Sequence, residues 1–129
     1  MNPVFLSLGE VLEIHRDQIE RYGGDPGIRD LGLLQSALAM PAAGFGGRYL
    51  HSDLFEMAAA YLFHLVQSHP FVDGNKRASA VAALVFLSLN DIEIDADEEE
   101  FESMVLAGAQ GRAHKAAVTE FCRKHAQQQ

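Results

Sequence analysis

His69-Pro70-Phe71-Val72-Asp73-Gly74-Asn75-Lys76-Arg77 gathers an imidazole, a carboxylate, a glycine, an amide and two adjacent cations into nine consecutive positions. An almost wholly apolar stretch precedes it, Leu54 to Val66, and another follows, Ala80 to Leu89. Desolvating polar groups without partners costs roughly a few kcal/mol each, so such density between two buried segments calls for a ligand. A bound anion meets that need. Gly74 permits close backbone approach, the start of the following helix presents free N–H groups, and Lys76 and Arg77 complete a phosphate cradle. An imidazole at position 69, beside that cradle, is placed to act as a general base.

Each of these residues also has a plainer reading. His69 alone would be a histidine ending a buried helix with its ring on a carbonyl. Asp73-Gly74 alone would be a turn dipeptide. Between an imidazole and two cations, the Asp73 carboxylate is better explained as a Mg²⁺ ligand serving a nucleotide phosphate. One carboxylate suffices there, because Mg²⁺ keeps several waters and takes other oxygens from phosphates. Gly74 and Asn75 open a helix, which is itself an anion site, and the Asn75 side chain can orient a phosphate. Lys76 and Arg77 read otherwise as surface cations. Helical neighbours point about 100° apart, so both reach one phosphate chain only if it lies over the helix end. Phe71 packs inward as the loop's anchor and carries no chemistry.

The elements that must position this loop are helices. Ser7 and Glu10 make a capping-box pattern ahead of Leu8, Val11, Leu12, His15, Ile19 and Tyr22 on one face, and Gly23-Gly24 ends that helix. Asp30 caps a short helix through Ala39, stopped by Pro41. Residues 41 to 51, with Gly44, Gly46 and Gly47 around Phe45, read as a mobile loop. Asp53 with Glu56 offers a second capping box for a helix from Leu54 to about Ser68, apolar on nearly every side and so buried all round. Pro70 helps end it at His69. A second buried helix runs from about Asn75 to Leu89, with Asn90 closing it in a left-handed conformation. Ile92 and Ile94 suit a short extended piece, and Asp97 caps a helix containing Phe101, Met104 and Val105. Gly108 and Gly111 break it, a last helix spans about Ala113 to Lys124, and the tail from Ala126 to Gln129 is expected to fray.

At 129 residues the chain reads as one all-α domain over 1–129, a compact bundle with a central buried helix pair flanking the loop at 69–77. No apolar run reaches the ~18–20 residues of a membrane span, because His64, Gln67 and Ser68 interrupt the longest. No secretory signal is evident, and the single Cys122 cannot form an internal disulfide, so a cytoplasmic location is expected. The net charge of −8 argues against nucleic acid as a partner. Eight acids crowd positions 91–102, from Asp91 to Glu102. They read as a solvated loop and helix start, or alternatively as a docking face for a basic partner. The other histidines have no metal-ligand spacing. No GxxxxGK[ST] loop or protein-kinase motif set is present, so any nucleotide chemistry must use the histidine motif.

The nine-residue string resembles the signature of the Fic/Doc superfamily, whose Fic branch reads HPFx(D/E)GNGRxxR. Lys76 stands where that branch has its second glycine and Ala80 where it has its last arginine, and both departures fit the death-on-curing (Doc) branch. Tyr22-Gly23-Gly24, Gly27-Ile28-Arg29-Asp30, Leu33 to Leu38 and Pro41 also resemble the upstream half of Doc proteins, so the resemblance runs roughly from residue 4 to 125. It implies a helical Fic/Doc fold, and it implies a toxin using ATP and Mg²⁺ to modify a hydroxyl of a target protein, with His69 as base. In Fic relatives the α-phosphate meets the nucleophile and AMP is transferred. Similarity to Doc implies the reversed nucleotide, with the γ-phosphoryl group transferred to elongation factor Tu and growth arrest as the outcome. It further implies a separate antitoxin, since no internal [S/T]xxxE[G/N] inhibitory helix is found, and a flap over residues 41–49 that aligns the target. AMP transfer and a binding domain with a decayed site are the alternatives.

Overall fold

In the computed structural model, which describes residues 2–97, 100, 101, 103, 105 and 111–128, the helices begin where short side chains can satisfy their first N–H groups. Helix α1 (Leu8–Tyr22) opens on a complete capping box. Ser7 Oγ accepts from the Glu10 N–H at 3.1 Å, and Glu10 Oε1 accepts from the Ser7 N–H at 2.8 Å. Such a cap is worth about 1 kcal/mol. The helix ends at Gly23, which takes the positive φ of 85°. Helix α2 (Leu31–Ala39) starts on Asp30, whose carboxylate accepts from the Leu33 N–H. It runs on into a 3₁₀ turn, Met40–Ala42, that holds Pro41 in its first positions, where a missing N–H is harmless.

Within the stretch read as a mobile loop, a tight hairpin forms. Strand β1 (Gly44–Phe45) pairs antiparallel with β2 (Arg48–Tyr49), Phe45 opposite Arg48. Gly46 and Gly47 supply the two positive φ angles, 60° and 79°, that a two-residue hairpin turn needs. A Cβ on Gly44 would collide with the Arg48 carbonyl oxygen, so the pairing itself demands glycine there.

Helix α3 (Leu54–Ser68) is the centre of the molecule. Asp53 caps it by accepting from the Glu56 N–H, while the Glu56 carboxylate bonds Ser52 rather than closing the expected box on Asp53. Met57 through Leu62 are fully buried. Helix α4 (Asn75–Leu89) packs along α3, and the small side chains Ala58, Ala59, Ala78, Ala82 and Ala83, all buried, permit close approach. Helix α5 (Gly111–His125) covers another side of α3, and α1 lies on α4. Phe86 and Tyr61 sit against each other in this core. The Tyr61 hydroxyl accepts from the Leu6 N–H, and burial pushes its phenol up to about 12. No helix among the described residues is long and apolar enough to cross a membrane.

Three expectations fail beyond α4. Asn90 has φ −106°, and the left-handed residue is Asp91, with φ 65°. The reason is that the Asn90 side chain clamps the N-terminal segment, bonding both the N–H and the carbonyl of Val4. The turn therefore falls one residue later. The tail is also ordered in part. Strand β4 (Ala126–Gln128) pairs antiparallel with β3 (Ile92–Ile94), Glu93 opposite Gln127. Phe101 and Val105 are helical and buried, and the Phe101 N–H reaches the Asp97 carbonyl. Gly111 begins α5 rather than breaking a helix. Met104, Gly108, Gln129 and three acids of the 91–102 run (Glu98, Glu99 and Glu102) lie outside the described residues, with whatever was expected of them.

The packing around α3 makes stability sensitive to acid. Burial, followed by the nearby Lys115 charge, holds the His51 and His64 imidazoles below the ordinary 6.5. Burial alone would raise Asp53, but the Arg123 guanidinium at 2.6 Å and the cap N–H groups pull it below the usual carboxylate value of 3.8. A histidine held neutral in the fold costs stability once the unfolded chain protonates, that is, as pH falls below 6.5. Asp53 adds its loss only as pH falls below 3.8 toward its folded value. Urea midpoints should therefore fall between pH 7.5 and pH 5.5, and a His51→Gln, His64→Gln double variant should flatten that fall. A midpoint that rose on acidification would contradict the assignment.

Candidate active site

Residues 69–74 join α3 to α4, and their shape is held by contacts from three other parts of the chain. Phe71 is 1% exposed and stacks flat on His15 of α1, with ring centroids 3.7 Å apart and planes 6° from parallel. The His15 Nε2–H donates to the Asp73 carbonyl at 2.8 Å. Asn75, the first residue of α4, closes the loop on itself. Its Oδ1 accepts from the Phe71 N–H at 3.0 Å, and its Nδ2 donates to the Phe71 carbonyl at 2.9 Å. Segment 27–30 lies alongside in a strand-like bridge, with Ile28 opposite Phe71.

On that scaffold sits a pocket of ≈ 330 Å³ lined by His69, Asp73, Gly74, Lys76, Arg77 and Ala80, with Val72, Asn75 and Val105 completing it. This is the lower end of the ~300–1,000 Å³ typical of small-molecule sites. His69 adopts the left-handed conformation, φ 50° and ψ 52°, as the C-cap of α3. Pre-proline geometry disfavours helix there, and the chain turns left-handed rather than extending. Gly74, at φ 80°, begins α4 with no side-chain cap, the kind of helix start that suits an anion.

Asp73 is oriented by the main chain. Its Oδ2 accepts from the Asp25 N–H at 2.8 Å, while Oδ1 has no partner among the described residues. Glycine at 24 is needed for this approach, because a Cβ there would lie 3.1 Å from Asp73 Cβ, at a φ of 119°. One carboxylate oxygen fixed and one open suits a cation that takes its other ligands from water and phosphate. No cluster of three histidines, cysteines or acids that could hold a metal unaided occurs among the described residues. Lys76 is exposed with no partner among them. Arg77 places its guanidinium over the Tyr22 ring, 4.5 Å from the centroid, which orients it at the pocket edge.

The structure thus brings His69, Asp73, Gly74, Asn75, Lys76 and Arg77 to one pocket. It gives Asn75 a further duty, since both ends of its amide are engaged by Phe71 and it is buried. Sequence reasoning did not find His15, Asp25, Tyr22 or Arg29 as members of the site. His15 was legible only as one apolar-face position of α1, and nothing local marks it as a partner for Asp73.

A profile of the Fic/DOC family matches residues 5–87, which take in α1 through most of α4 and the whole loop. Protein kinase doc of Escherichia phage P1 is 31% identical over 119 residues, covering 92% of this chain and 93% of that protein. Toxin Doc of Mycolicibacterium smegmatis is 42% identical over 76 residues, 59% of this chain and 58% of that one. With the helical architecture, the HPFVDGNKR loop and its pocket in place, the chain belongs to the Fic/DOC family, in its Doc branch.

Proposed function

We propose that this chain is a Doc-type toxin that transfers the γ-phosphoryl group of ATP to a hydroxyl of a target protein. Elongation factor Tu is the target by family resemblance, translation arrest in the cytoplasm is the outcome, and a separate antitoxin restrains it. The observation that carries the reading is the composition of one pocket: an imidazole, a carboxylate with an open oxygen, an uncapped helix start, and two cations. The two relatives, one a protein kinase by name and the other a toxin, support it.

In this reading the phosphate chain lies over the uncapped N-terminus of α4, with Lys76 and Arg77 supplying positive charge. Asp73 would hold Mg²⁺ through Oδ1, and the ion would neutralise charge developing on the phosphate oxygens. His69 takes the proton of the acceptor hydroxyl as its oxygen bonds the γ-phosphorus. The bond to the bridging oxygen breaks, and ADP leaves with that electron pair. Lys76 puts bulk and charge where the Fic branch has glycine, and Ala80, buried at the pocket wall, removes the arginine that clamps the phosphate tail there. Both changes favour presenting the γ- rather than the α-phosphate. Label from γ-labelled ATP should therefore enter one protein band of a bacterial lysate, and α-label should not. Incorporation of α-label would replace this reading with AMP transfer. Growth arrest on expressing the chain alone, relieved by the neighbouring small open reading frame, tests the toxin part.

The β1–β2 hairpin serves in this reading as the flap that aligns the target. Phe45 at its tip is 94% exposed, a large apolar side chain without cover in the free protein. Deleting Gly44 to Gly47 should leave ATP binding within a few-fold and abolish transfer to full-length target. Unchanged transfer would remove the hairpin from the mechanism.

A further inference from the structure

We propose that Arg29 is a positioning residue that holds His69 in its working conformation, an inference resting on the reading of His69 as the base. The Arg29 Nε–H donates to the His69 carbonyl at 2.6 Å, and its Nη2–H donates to the Ser68 carbonyl at 2.8 Å. One planar guanidinium thus grips two consecutive carbonyls at the C-terminus of α3, where the helix dipole favours a cation. The backbone adds to the grip. The N–H groups of Arg29 and Asp30 both donate to the Pro70 carbonyl, at 2.7 and 3.0 Å, and the Val72 N–H donates to Gly27. The carbonyls before, at and after His69 are therefore all tied to segment 27–30.

His69 needs such a restraint. It is one of two non-glycine residues with positive φ among those described, and left-handed backbone persists in bulky residues only when surroundings enforce it. Its ring is exposed, so packing does not fix its direction. The chain holds 18 acidic residues, yet Arg29 pairs with none of those described and directs its guanidinium to these two carbonyls. An imidazole whose backbone swings by about 1 Å can lose on the order of 10²-fold in rate.

The test uses the full-length chain carrying Arg29→Ala or Arg29→Lys, with purified elongation factor Tu and γ-labelled ATP. Arg29→Ala should lower kcat about 10²-fold, with KM for ATP close to wild type and the urea midpoint only slightly lowered by the loss of two exposed hydrogen bonds. Millimolar guanidinium should restore part of the lost kcat, and should restore none to His69→Ala. Arg29→Lys should fall between, since an ammonium cannot span both carbonyls. A kcat near wild type, or a loss that merely follows a lowered midpoint, overturns the proposal. Amide hydrogen exchange at His69, whose N–H donates to Leu65, gives a readout independent of activity. If wild type transfers no label, the base reading fails and exchange decides alone. Faster exchange at His69 in Arg29→Ala, with the α4 core unchanged, supports the positioning role, and unchanged exchange overturns it.

Discussion

Replacing His69 by alanine is expected to lower the transfer rate by about 10²–10⁴-fold, the usual cost of removing a general base. ATP affinity should stay within a few-fold, because the phosphate chain is held by α4 and its cations, and the imidazole's ground-state contact with the nucleotide is slight. Stability should not change either. The His69 ring is exposed, and what holds the loop is its backbone, gripped through the carbonyls of Ser68, His69 and Pro70. Alanine keeps those carbonyls. The pairing of a large kinetic loss with an unmoved urea midpoint is what distinguishes a chemical role from a structural one. It is read by single-turnover transfer from γ-labelled ATP beside equilibrium unfolding. Turnover near wild type would remove His69 from the mechanism.

Phe71→Ala should act through the fold, destabilising the protein by about 3–5 kcal/mol, the cost of truncating a fully buried aromatic. Phe71 is among the largest fully buried side chains, and its loss also strips the ring from His15, whose Nε2 fixes the Asp73 carbonyl. The Asn75 contacts to the residue-71 N–H and carbonyl survive in alanine, but without the ring the loop they close is no longer packed against α1. Both transfer and the urea midpoint should therefore fall together, with helical circular dichroism retained at low denaturant. Phe71→Leu, which keeps part of the volume, should recover much of the stability. A midpoint unchanged in Phe71→Ala would mean that the loop is anchored elsewhere.

The ends of α3 and α4 were legible in the sequence because their causes are local. Asp53 caps α3 within three residues, Pro70 forbids continuation past His69, and Gly74 lets α4 begin at Asn75. The same holds for the capping box of α1 and for the chemistry of the loop, since side-chain type sets what a carboxylate or an imidazole can do. What only the tertiary structure decided is the set of contacts that aim those groups. His15 reaches Asp73 across 58 positions, Asp25 across 48, and Arg29 reaches His69 across 40. Asn90 clamps Val4 across 86, displacing the left-handed turn to Asp91, and Ala126 to Gln128 find β3 from the far end of the chain. Caps and breakers act over one turn of backbone, so they show in the order of residues. A hydrogen bond between distant segments depends on packing that brings them together, and no spacing along the chain records it.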